Sequence, residues 1–369
     1  MSSVMLVGAF GQGNPGDEAL CAAFVEALRD HDVVVASGDP AGTSRLHAVR
    51  AIPNSPWSTA RELRRIDTVV VGGGTVFKSL HPSSGRRPNS LLRNAAALVA
   101  GARATGTKVA MVGVGAGELR GRSAKAWVRW LVRQTDLVVL RDEESAALLA
   151  DAGVPAPFWI GADPAFTLGR PIDAVEDRPP SVTVALSHLA GDDRLLDDLG
   201  GALRPLRDDH EIRLQPWQTD RGQRDGVLAD RLNSRLGGAA HIIDPPVDLA
   251  DAASTFARDR LVIGLRFHAL VAAAQAGTRF LAVAHEPKLA GLARRFAQVS
   301  VPAHASAPVL AAAVQQAAGV EPPTAATRSD EIARAGHTLD LMRLVIDDGD
   351  LAEPGRLAGL PLSAGSGTW

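Results

Sequence analysis

The sequence predicts an α/β protein built from two doubly wound, Rossmann-like domains. Short β-branched runs alternate with longer helical segments along most of the chain, which is typical of parallel sheets with crossover helices. The alternation stops at GRPIDAVEDRPPS, residues 169–181, where three prolines and mixed charges are typical of a linker. The length of 369 residues also exceeds that of most single domains.

The first predicted domain covers residues 1–169. Its six predicted strands occupy residues 4–9, 32–36, 68–71, 108–112, 136–140 and 158–160. Helical periodicity between them predicts helices that include residues 17–29, 90–105 and 123–134.

The second predicted domain, residues 181–320, repeats the pattern. Its strands are predicted at residues 181–187, 211–215, 240–243, 261–264, 279–284 and 298–301. Ligands bind at the carboxyl ends of such strands, so we expect the two domains to face each other across a cleft. A C-terminal segment, residues 321–348, is predicted to hold a helix over residues 328–346. The Gly-, Pro- and Ser-rich residues 349–369 are predicted to form a flexible tail.

The overall composition excludes several classes of partner and site. A net charge of −2 and a pI near 6.6 give the whole chain no basic excess of the kind that binds nucleic acid or an anionic membrane. The single cysteine, Cys21, excludes an intrachain disulfide and is typical of a reducing compartment. Neither a targeting signal nor an apolar run of membrane-spanning length is recognised. We therefore expect a cytoplasmic protein, and a peripheral position at the inner membrane face stays open.

The first strand leads into a glycine-rich loop with three interpretations. GQGNPG, residues 11–16, matches G-x-G-x-x-G, and Asp39 stands at the end of the second strand, where a dinucleotide fold places its ribose-binding acid. Against this, Asp17 puts negative charge where a pyrophosphate would bind, and Pro15 removes a backbone donor. The loop could instead be a tight turn in which Asp17 caps its own helix. It could also bind a sugar through Asn14 and Asp17.

Two more glycine-rich segments follow strands of the same sheet. GGGTVF, residues 72–77, and GVGAG, residues 113–117, are interpreted as loops that let a ligand approach the backbone closely. Gly73 and Gly74 are therefore candidate acceptor-binding residues. In the following LRDEES segment, Arg141 closes a strand and Asp142 can cap a helix.

The second domain places cations where two of its strands end. In GLRFHAL, Arg266 and His268 fall in the loop and first turn of a helix that we expect to end near Gly277. Free backbone N–H groups at this position favour a phosphate or carboxylate ligand. The next strand ends in HEPK, where His285 and Lys288 add further donors; this spacing does not match a zinc motif.

Together these segments resemble the polysaccharide pyruvyl transferase family. The resembling pieces, in the order of the family, are GNPGDEAL, GGGTVF, GVGAG, LRDEESAALLADAG, ADPAF and GLRFHAL, and they span about residues 5–295. The resemblance implies a two-domain architecture like that of GT-B glycosyltransferases, a phosphoenolpyruvate donor and a glycan acceptor. It maps the R-x-H-A element of the family onto Arg266, His268 and Ala269, and its cleft arginine onto Arg141.

The function expected from this resemblance is transfer of a pyruvyl ketal from phosphoenolpyruvate to a hydroxyl pair of a cell-surface glycan or its lipid-linked precursor. The second domain is expected on the donor side and the first on the acceptor side. Arg266 can bind a carboxylate or phosphate as a fork, and His268 can deliver a proton. Lys288, Arg141 and His285 are expected to help bind the donor. Neither a metal nor a cofactor is expected, because Arg and Lys can neutralise the charge.

Two other functions stay open. A GT-B glycosyltransferase would bind the diphosphate of a nucleotide sugar with the same cations, and a non-enzymatic protein could bind a sugar or nucleotide. Because the chain contains no tyrosine, an aromatic platform for a sugar would come from a residue such as Trp57 or Trp217. The oligomeric state is not predicted by these patterns.

Overall fold

A computed structural model of the chain describes residues 1–80, 85–154, 158–169, 179–188, 192–218, 224–348 and 363–364. The chain divides into two compact units. Unit 1 comprises Met1–Gln12, Leu20–Thr167 and Glu331–Trp369, and unit 2 comprises Gly13–Ala19 and Leu168–Asp330. Of the predicted linker, residues 170–178 lie outside the described part of the chain, as does nearly all of the predicted tail.

Unit 1 is built on a nine-stranded sheet. Its strands are β1 (Ser3–Val7), β2 (Asp32–Ser37), β3 (Arg50–Pro53), β4 (Thr68–Gly72), β5 (Thr75–Phe77), β6 (Lys108–Ala116), β7 (Leu137–Leu140), β8 (Trp159–Ile160) and β15 (Ser363–Ala364). The order is β15-β8-β7-β6-β4-β1-β2-β3, with β5 also beside β6. Apart from the antiparallel β15–β8 pair, the paired strands are parallel. The core strands are continuous apolar runs, such as TVVVG in β4, because a parallel sheet is covered on both faces.

Helices connect the strands of unit 1. They are α1 (Pro15–Ala27), whose first turn belongs to unit 2, α2 (Pro40–His47), α3 (Pro56–Glu62), α4 (Ser90–Thr105), α5 (Gly121–Gln134) and α6 (Glu143–Asp151). Their ends follow local sequence signals. Asp39 and Asp142 cap α2 and α6 by accepting hydrogen bonds from the backbone N–H groups of Gly42 and Ser145. Gly106 ends α4 in the left-handed conformation, at φ 75°.

Unit 2 is built on a six-stranded parallel sheet. Its strands are β9 (Ser181–Ala185), β10 (Glu211–Gln215), β11 (His241–Ile242), β12 (Leu261–Gly264), β13 (Phe280–Ala284) and β14 (Val299–Pro302), in the order β11-β10-β9-β12-β13-β14. Its helices are α7 (Asp193–Leu203), α8 (Arg224–Arg235), α9 (Leu249–Phe256), α10 (Phe267–Gln275), α11 (Pro287–Arg295) and α12 (Ala307–Gly319).

Both sheets are doubly wound, so each has a point where the chain changes direction. In unit 2 the chain moves outward from β9 to β11 and then returns to the other side of β9 at β12. The loops after β9 and β12 therefore diverge and leave an opening at the carboxyl ends of these strands. In unit 1 the equivalent position lies between β1 and β4. The order of the strands thus marks one ligand-binding edge in each unit.

The last long helix, α13 (Ala325–Ile346), starts in unit 2 and continues into unit 1. In unit 1, the buried Thr338 hydroxyl accepts a hydrogen bond from the N–H of Ala162 at 3.0 Å. Arg334 donates to Glu143 at 2.9 Å and to the carbonyl of Gly161 at 2.8 Å. These bonds fix α13 against the end of the unit 1 sheet. Within the described ranges, no helix combines the length and the apolar character needed to cross a bilayer.

The interpretation of GVGAG as a loop was wrong. β6 continues through this segment to Ala116 and pairs with β5, which itself lies in the GGGTVF segment. Gly113 adopts φ 64°, and the register of β6 against β7 shifts there. A glycine in the left-handed conformation can form a bulge without ending the strand. A Cβ atom at Gly113 would lie 2.5 Å from Cδ of Pro164, so the position requires glycine for a packing reason as well.

The interpretation of Asp17 as the cap of its own helix was also wrong. α1 begins two residues earlier, at Pro15, a residue favoured in the first helical position. The Asn14 side chain accepts a hydrogen bond from the N–H of Gly16 at 3.1 Å, and its amide donates to Asp17 at 2.8 Å. The cap is therefore Asn14, and Asp17 lies in the first turn.

Candidate functional site

Three neighbouring strands of unit 2 end at the candidate site. His188 follows β9, Arg266 and His268 follow β12, and His285 and Lys288 follow β13. Because β9 and β12 flank the point where the chain changes direction, their loops border the opening at this edge. The architecture of unit 2 thus brings chemically active side chains to the expected ligand position.

Arg266 is buried and firmly held at the start of α10, with 8% of the residue exposed. Its Nε donates to the carbonyl of Leu186 at 2.9 Å and to Oδ2 of Asp225 at 3.0 Å. Nη2 also hydrogen-bonds Oδ2 of Asp225 and lies 3.4 Å from Nδ1 of His188. One edge of the guanidinium is therefore committed to a buried carboxylate, which fixes the plane of the group. Nη1 takes no part in these bonds.

Asp225 holds this cluster together from the first turn of α8, where it is fully buried. Oδ1 accepts hydrogen bonds from the backbone N–H of His188 at 2.8 Å and from its ring Nδ1 at 3.1 Å. Oδ2 accepts from the N–H groups of Trp217 and Gln218, at 3.2 and 2.9 Å. Burial opposes ionisation of Asp225. However, the hydrogen bonds from His188 and Gln218 and the charge of Arg266 outweigh burial and lower the pKa of Asp225 far below its usual value.

His268 lies against the N-terminal segment of the chain that belongs to unit 2, Gly13–Ala19. A Cβ atom added to Gly16 would lie 2.1 Å from Nδ1 and 2.4 Å from Cγ of the His268 ring. Only glycine allows this approach. The ring of Phe267 meets the imidazole edge to face, with ring centres 5.5 Å apart. The imidazole is thus confined between the start of α1 and an aromatic ring.

Asp17 adds a carboxyl group on the same segment. Burial raises the pKa of Asp17 above its usual value. His268, Lys288 and Arg266 act in the opposite direction without cancelling the effect of burial. These three side chains follow β12 and β13 at the carboxyl edge of the unit 2 sheet.

The HEPK segment supplies Lys288 and His285 to the same edge. Nζ of Lys288 lies 2.6 Å from a carboxylate oxygen of Glu286 and 5.8 Å from the centre of the Phe267 ring. Both Lys288 and His285 are partly exposed. Lys288 therefore carries its charge at the rim of the cluster, where it remains accessible to solvent.

The other predicted site residues belong to unit 1. The Arg141 side chain is almost fully buried; Nε donates to Asp142 at 3.1 Å, Nη2 donates to Thr75 at 3.0 Å, and Nη1 lies 3.7 Å from Asp163. Arg141 ties the end of β7 to β5 and to the segment after β8.

Glycines line the equivalent edge of unit 1. Gly73 and Gly74 follow β4 with φ of 67° and 71°. A Cβ atom at Gly73 would lie 2.4 Å from a methyl carbon of Leu20, whereas one at Gly74 would meet no atom within 4 Å. Asp39, the residue expected to bind ribose in a dinucleotide fold, uses its carboxylate to cap α2. Packing therefore explains Gly73, while the space around Gly74 is open.

Two residues of the unit 2 cluster escaped the sequence analysis, and one predicted residue is misplaced. Asp225 and His188 precede Arg266 by about 40 and 80 residues, and neither lies in a recognisable motif. The one available signal for His188 is its position just after the predicted strand 181–187. Trp217 is fully buried and stacks on Phe256, so it cannot serve as an exposed platform for a sugar.

The family model of polysaccharide pyruvyl transferase matches residues 14–287 of this chain. No curated protein is significantly similar in sequence.

Several solved structures share the fold over nearly the whole chain. A UDP-GlcNAc 2-epimerase from Methanocaldococcus jannaschii superposes with a TM-score of 0.63 at 11% identity, covering 93% of this chain and 99% of that one. A putative UDP-N-acetylglucosamine 2-epimerase from Listeria monocytogenes gives 0.62 at 12% identity, covering 95% and 98%. Anabaena HepE in complex with UDP-glucose gives 0.60 at 13% identity, covering 94% and 99%. These similarities confirm the predicted fold class of two Rossmann-like, GT-B-like domains.

Proposed function

Because the chain belongs to the polysaccharide pyruvyl transferase family, we propose that it moves the pyruvyl group of phosphoenolpyruvate onto a hydroxyl pair of a cell-surface glycan or its lipid-linked precursor. The observation that carries this proposal is the cluster at the carboxyl edge of unit 2. There Arg266 lies at the start of α10, the His268 ring packs against Gly16 and Phe267, and Nζ of Lys288 lies 5.8 Å from the centre of the Phe267 ring. A small donor with a phosphate and a carboxylate requires several positive charges beside a proton donor.

The chemistry requires a proton transfer and two bond-forming steps at one carbon. The methylene carbon of the donor gains a proton, and a sugar hydroxyl attacks the neighbouring carbon. A second hydroxyl then closes the ketal as phosphate leaves with the electron pair of its C–O bond. Of the two hydroxyl protons, one replaces the proton given to the methylene carbon and the other leaves on phosphate, as HPO₄²⁻. The site must therefore supply an acid on one side and hold an anion that leaves on the other.

Arg266 is proposed to bind the carboxylate or phosphate of the donor. Since Nε and one N–H of Nη2 are held by Asp225 and Leu186, the donor would meet the edge formed by Nη1 and the remaining N–H of Nη2. Lys288 is proposed to add a second positive charge, and His285 to contribute a hydrogen bond. Asp225 positions the fork without touching the donor.

His268 is proposed to be the proton donor to the methylene carbon. Its confinement by Gly16 and Phe267 limits ring rotation, which favours proton transfer in one direction. Asn14 and Asp17 are proposed to accept hydrogen bonds from the acceptor hydroxyls. Gly73 and Gly74 of unit 1 are also proposed as acceptor-binding residues, and the space beside Gly74 is open. Arg141 is also proposed to help bind the donor. Its contacts with Thr75 and Asp163 already explain why it is buried in unit 1.

Two variants test these roles by calorimetric binding of phosphoenolpyruvate and by steady-state rates. Arg266→Lys should weaken donor binding by about 1–3 kcal/mol, because it keeps the charge and loses the fork. His268→Ala should leave donor binding nearly unchanged and lower turnover about 10²–10⁴-fold, as expected when a general acid is lost. Near-normal turnover of His268→Ala would show that the proton comes from another group.

Arg213→Lys is the matched control for the arginine. Arg213 also pairs with a buried carboxylate of unit 2, that of Asp259. Asp259 precedes β12, whereas Arg266 follows this strand. The control should lose stability without losing affinity for phosphoenolpyruvate. An equal loss of affinity in both variants would indicate a general defect in unit 2 rather than a donor site at Arg266.

A second candidate function is glycosyl transfer from a nucleotide sugar. Anabaena HepE, which shares the fold, was solved in complex with UDP-glucose. In this case the same cations would bind a diphosphate. Calorimetry with UDP, UDP-glucose and phosphoenolpyruvate separates the two functions, because binding of UDP in preference to phosphoenolpyruvate would contradict pyruvyl transfer.

A further inference from the structure

His188 belongs to the cluster in unit 2, and no step of the proposed reaction yet uses it. It lies in the turn directly after β9, and its side chain is 21% exposed. β9 and β12 flank the opening at the carboxyl edge of the unit 2 sheet. Arg266 follows β12, and its Nη2 lies 3.4 Å from Nδ1 of His188. A partly exposed imidazole therefore stands beside the guanidinium that is proposed to bind the donor.

The contacts of the His188 ring assign its tautomer. Although burial opposes ionisation of Asp225, hydrogen bonds and the charge of Arg266 lower its pKa, so the group is a carboxylate at neutral pH. A carboxylate only accepts hydrogen bonds, so the 3.1 Å contact between its Oδ1 and Nδ1 of His188 requires a proton on Nδ1. In the neutral ring, Nε2 then carries the lone pair. Nε2 makes no hydrogen bond with the part of the chain that the structure describes.

Asp225 does not need this imidazole to satisfy its own oxygens. A carboxylate has about four acceptor positions. Oδ1 accepts a hydrogen bond from the backbone N–H of His188, and Oδ2 accepts two more from Trp217 and Gln218. The guanidinium of Arg266 adds its own hydrogen bonds and neutralises the charge. The bond to Nδ1 therefore serves the ring, because it fixes both the orientation of the imidazole and the nitrogen that carries the proton.

We propose that His188 is a catalytic residue that gives a proton to the phosphate as it leaves the donor, and that Arg266 holds this phosphate. The inference rests on the proposed pyruvyl transfer. In that reaction the phosphate leaves with the electron pair of its C–O bond and takes up a proton, whereas the carboxylate of the donor is unchanged. An imidazole with a fixed tautomer beside Arg266 can therefore contribute to the reaction only if the phosphate lies there.

The proton comes from the second acceptor hydroxyl. As the oxygen of this hydroxyl forms the ketal C–O bond, Nε2 of His188 takes its proton. Nε2 then gives that proton to the bridging oxygen as the C–O bond to phosphate breaks. Phosphate leaves as HPO₄²⁻, and His188 returns to its starting state. Because His268 acts at the methylene carbon, the two histidines divide the proton transfers between carbon and oxygen.

Calorimetric binding of inorganic phosphate and sulfate at pH 8.5 tests this placement without an acceptor. At that pH phosphate is HPO₄²⁻, whose proton can be donated to Nε2 of a neutral imidazole, while sulfate has the same charge and no proton. The wild type should bind phosphate about tenfold to a hundredfold more tightly than sulfate, as expected for a hydrogen bond to a charged group.

His188→Asn removes Nε2 and keeps an N–H donor for Asp225 close to the position of Nδ1. This variant should bind the two anions with equal affinity. His210→Asn is the matched control, because His210 is also partly buried in unit 2 but precedes β10, at the opposite end of the strands. The control should keep the preference of the wild type for phosphate.

Turnover tests the proton transfer itself. On the acceptor used for His268→Ala, His188→Asn should lower turnover with phosphoenolpyruvate about 10²–10⁴-fold. Sulfoenolpyruvate carries sulfate in place of phosphate, and sulfate leaves without taking up a proton. The loss in His188→Asn should be at least about tenfold smaller with this donor, whereas His268→Ala should impair transfer from both donors alike.

A preference for phosphate that survives in His188→Asn would overturn the proposal, as would a wild type that does not prefer phosphate. Equal losses of turnover with the two donors would show that His188 has a structural role only. The proposed function fails separately, if phosphoenolpyruvate does not bind to the wild type or if no ketal forms from it. Circular dichroism melting checks that His188→Asn is folded.

Discussion

Replacement of Asp225 by Asn should destabilise unit 2 by about 3–5 kcal/mol. The Asp225 carboxylate is fully buried, and its partner Arg266 is only 8% exposed. Removal of one member of a buried ion pair leaves the other charge uncompensated in a region of low dielectric constant, which costs about this amount. Because both groups are buried, little of the effect is lost to solvent screening.

The asparagine amide cannot satisfy the surrounding donors. In the wild type, one carboxylate oxygen faces the N–H groups of His188 and the other faces Trp217, Gln218 and Arg266. Whichever way the amide is turned, its NH₂ group meets N–H donors. At least one buried donor then loses its acceptor, at a further cost of about 1–3 kcal/mol.

The same substitution should change the response to acid. The folded-state pKa of Asp225 is lowered, so its contribution to stability is complete above the unfolded-state pKa, near about 4. It is lost as the pH falls below that value towards the lowered folded-state pKa. The stability difference between wild type and Asp225→Asn should therefore shrink below about pH 4.

Hydrogen exchange measured by mass spectrometry is the appropriate assay, because a chain with two units need not unfold in one step. Peptides from β12 and α10 report on unit 2, and peptides from β6 report on unit 1 as an internal control. The double variant Asp225→Asn with Arg266→Gln removes the uncompensated charge and should be more stable than Asp225→Asn alone. Strictly additive losses in this cycle would refute the reasoning, since they would mean that the two side chains do not interact.

Three smaller perturbations follow from other contacts. Gly16→Ala should displace the His268 ring, because its Cβ would lie 2.1 Å from Nδ1, and lower turnover at least about tenfold; unchanged turnover would show that the ring position is unimportant. Asp17→Asn should raise the melting temperature at pH 7, because the pKa of Asp17 is raised in the folded state. Ionisation of a group with a raised folded-state pKa costs stability as the pH rises from the unfolded-state pKa through the folded-state pKa. A lower melting temperature of the variant would contradict this sign. Thr338→Val should cost about 1–3 kcal/mol in unit 1, measured by urea unfolding, because it leaves the buried N–H of Ala162 without its acceptor.

The central strands of both sheets could be predicted because their residues are buried on both faces. Such strands read as short apolar runs, and the predicted strands 211–215 and 261–264 coincide with β10 and β12. The edge strand β3, whose residues are exposed or partly exposed, was missed. β5 could not be predicted, because three residues after a glycine triplet carry no periodicity. β6 was predicted too short, since Gly113 reads as a chain break and instead forms a bulge.

In the candidate site, residues that directly follow a strand could be predicted from the sequence. The residues that bind them from distant parts of the chain could not. Arg266 and His268 could be found because they interrupt an apolar segment at the end of a strand. Asp225 could not, because its role depends on contacts with His188 and Arg266, which lie 37 and 41 residues away along the chain. The buried guanidinium of Arg266 is compensated mainly by this carboxylate.

The assignment of Gly13–Ala19 to unit 2 has a consequence for the order of events during synthesis. These seven residues are made well before the rest of unit 2, yet Gly16 packs against His268, which is made about 250 residues later. At typical elongation rates of about 5–20 residues per second, this interval lasts roughly ten seconds to a minute. During this interval, the first turn of α1 has no partner from the rest of unit 2. The candidate site is therefore completed late, and a fragment beginning at residue 168 would lack Asn14, Gly16 and Asp17 however well its own sheet folds.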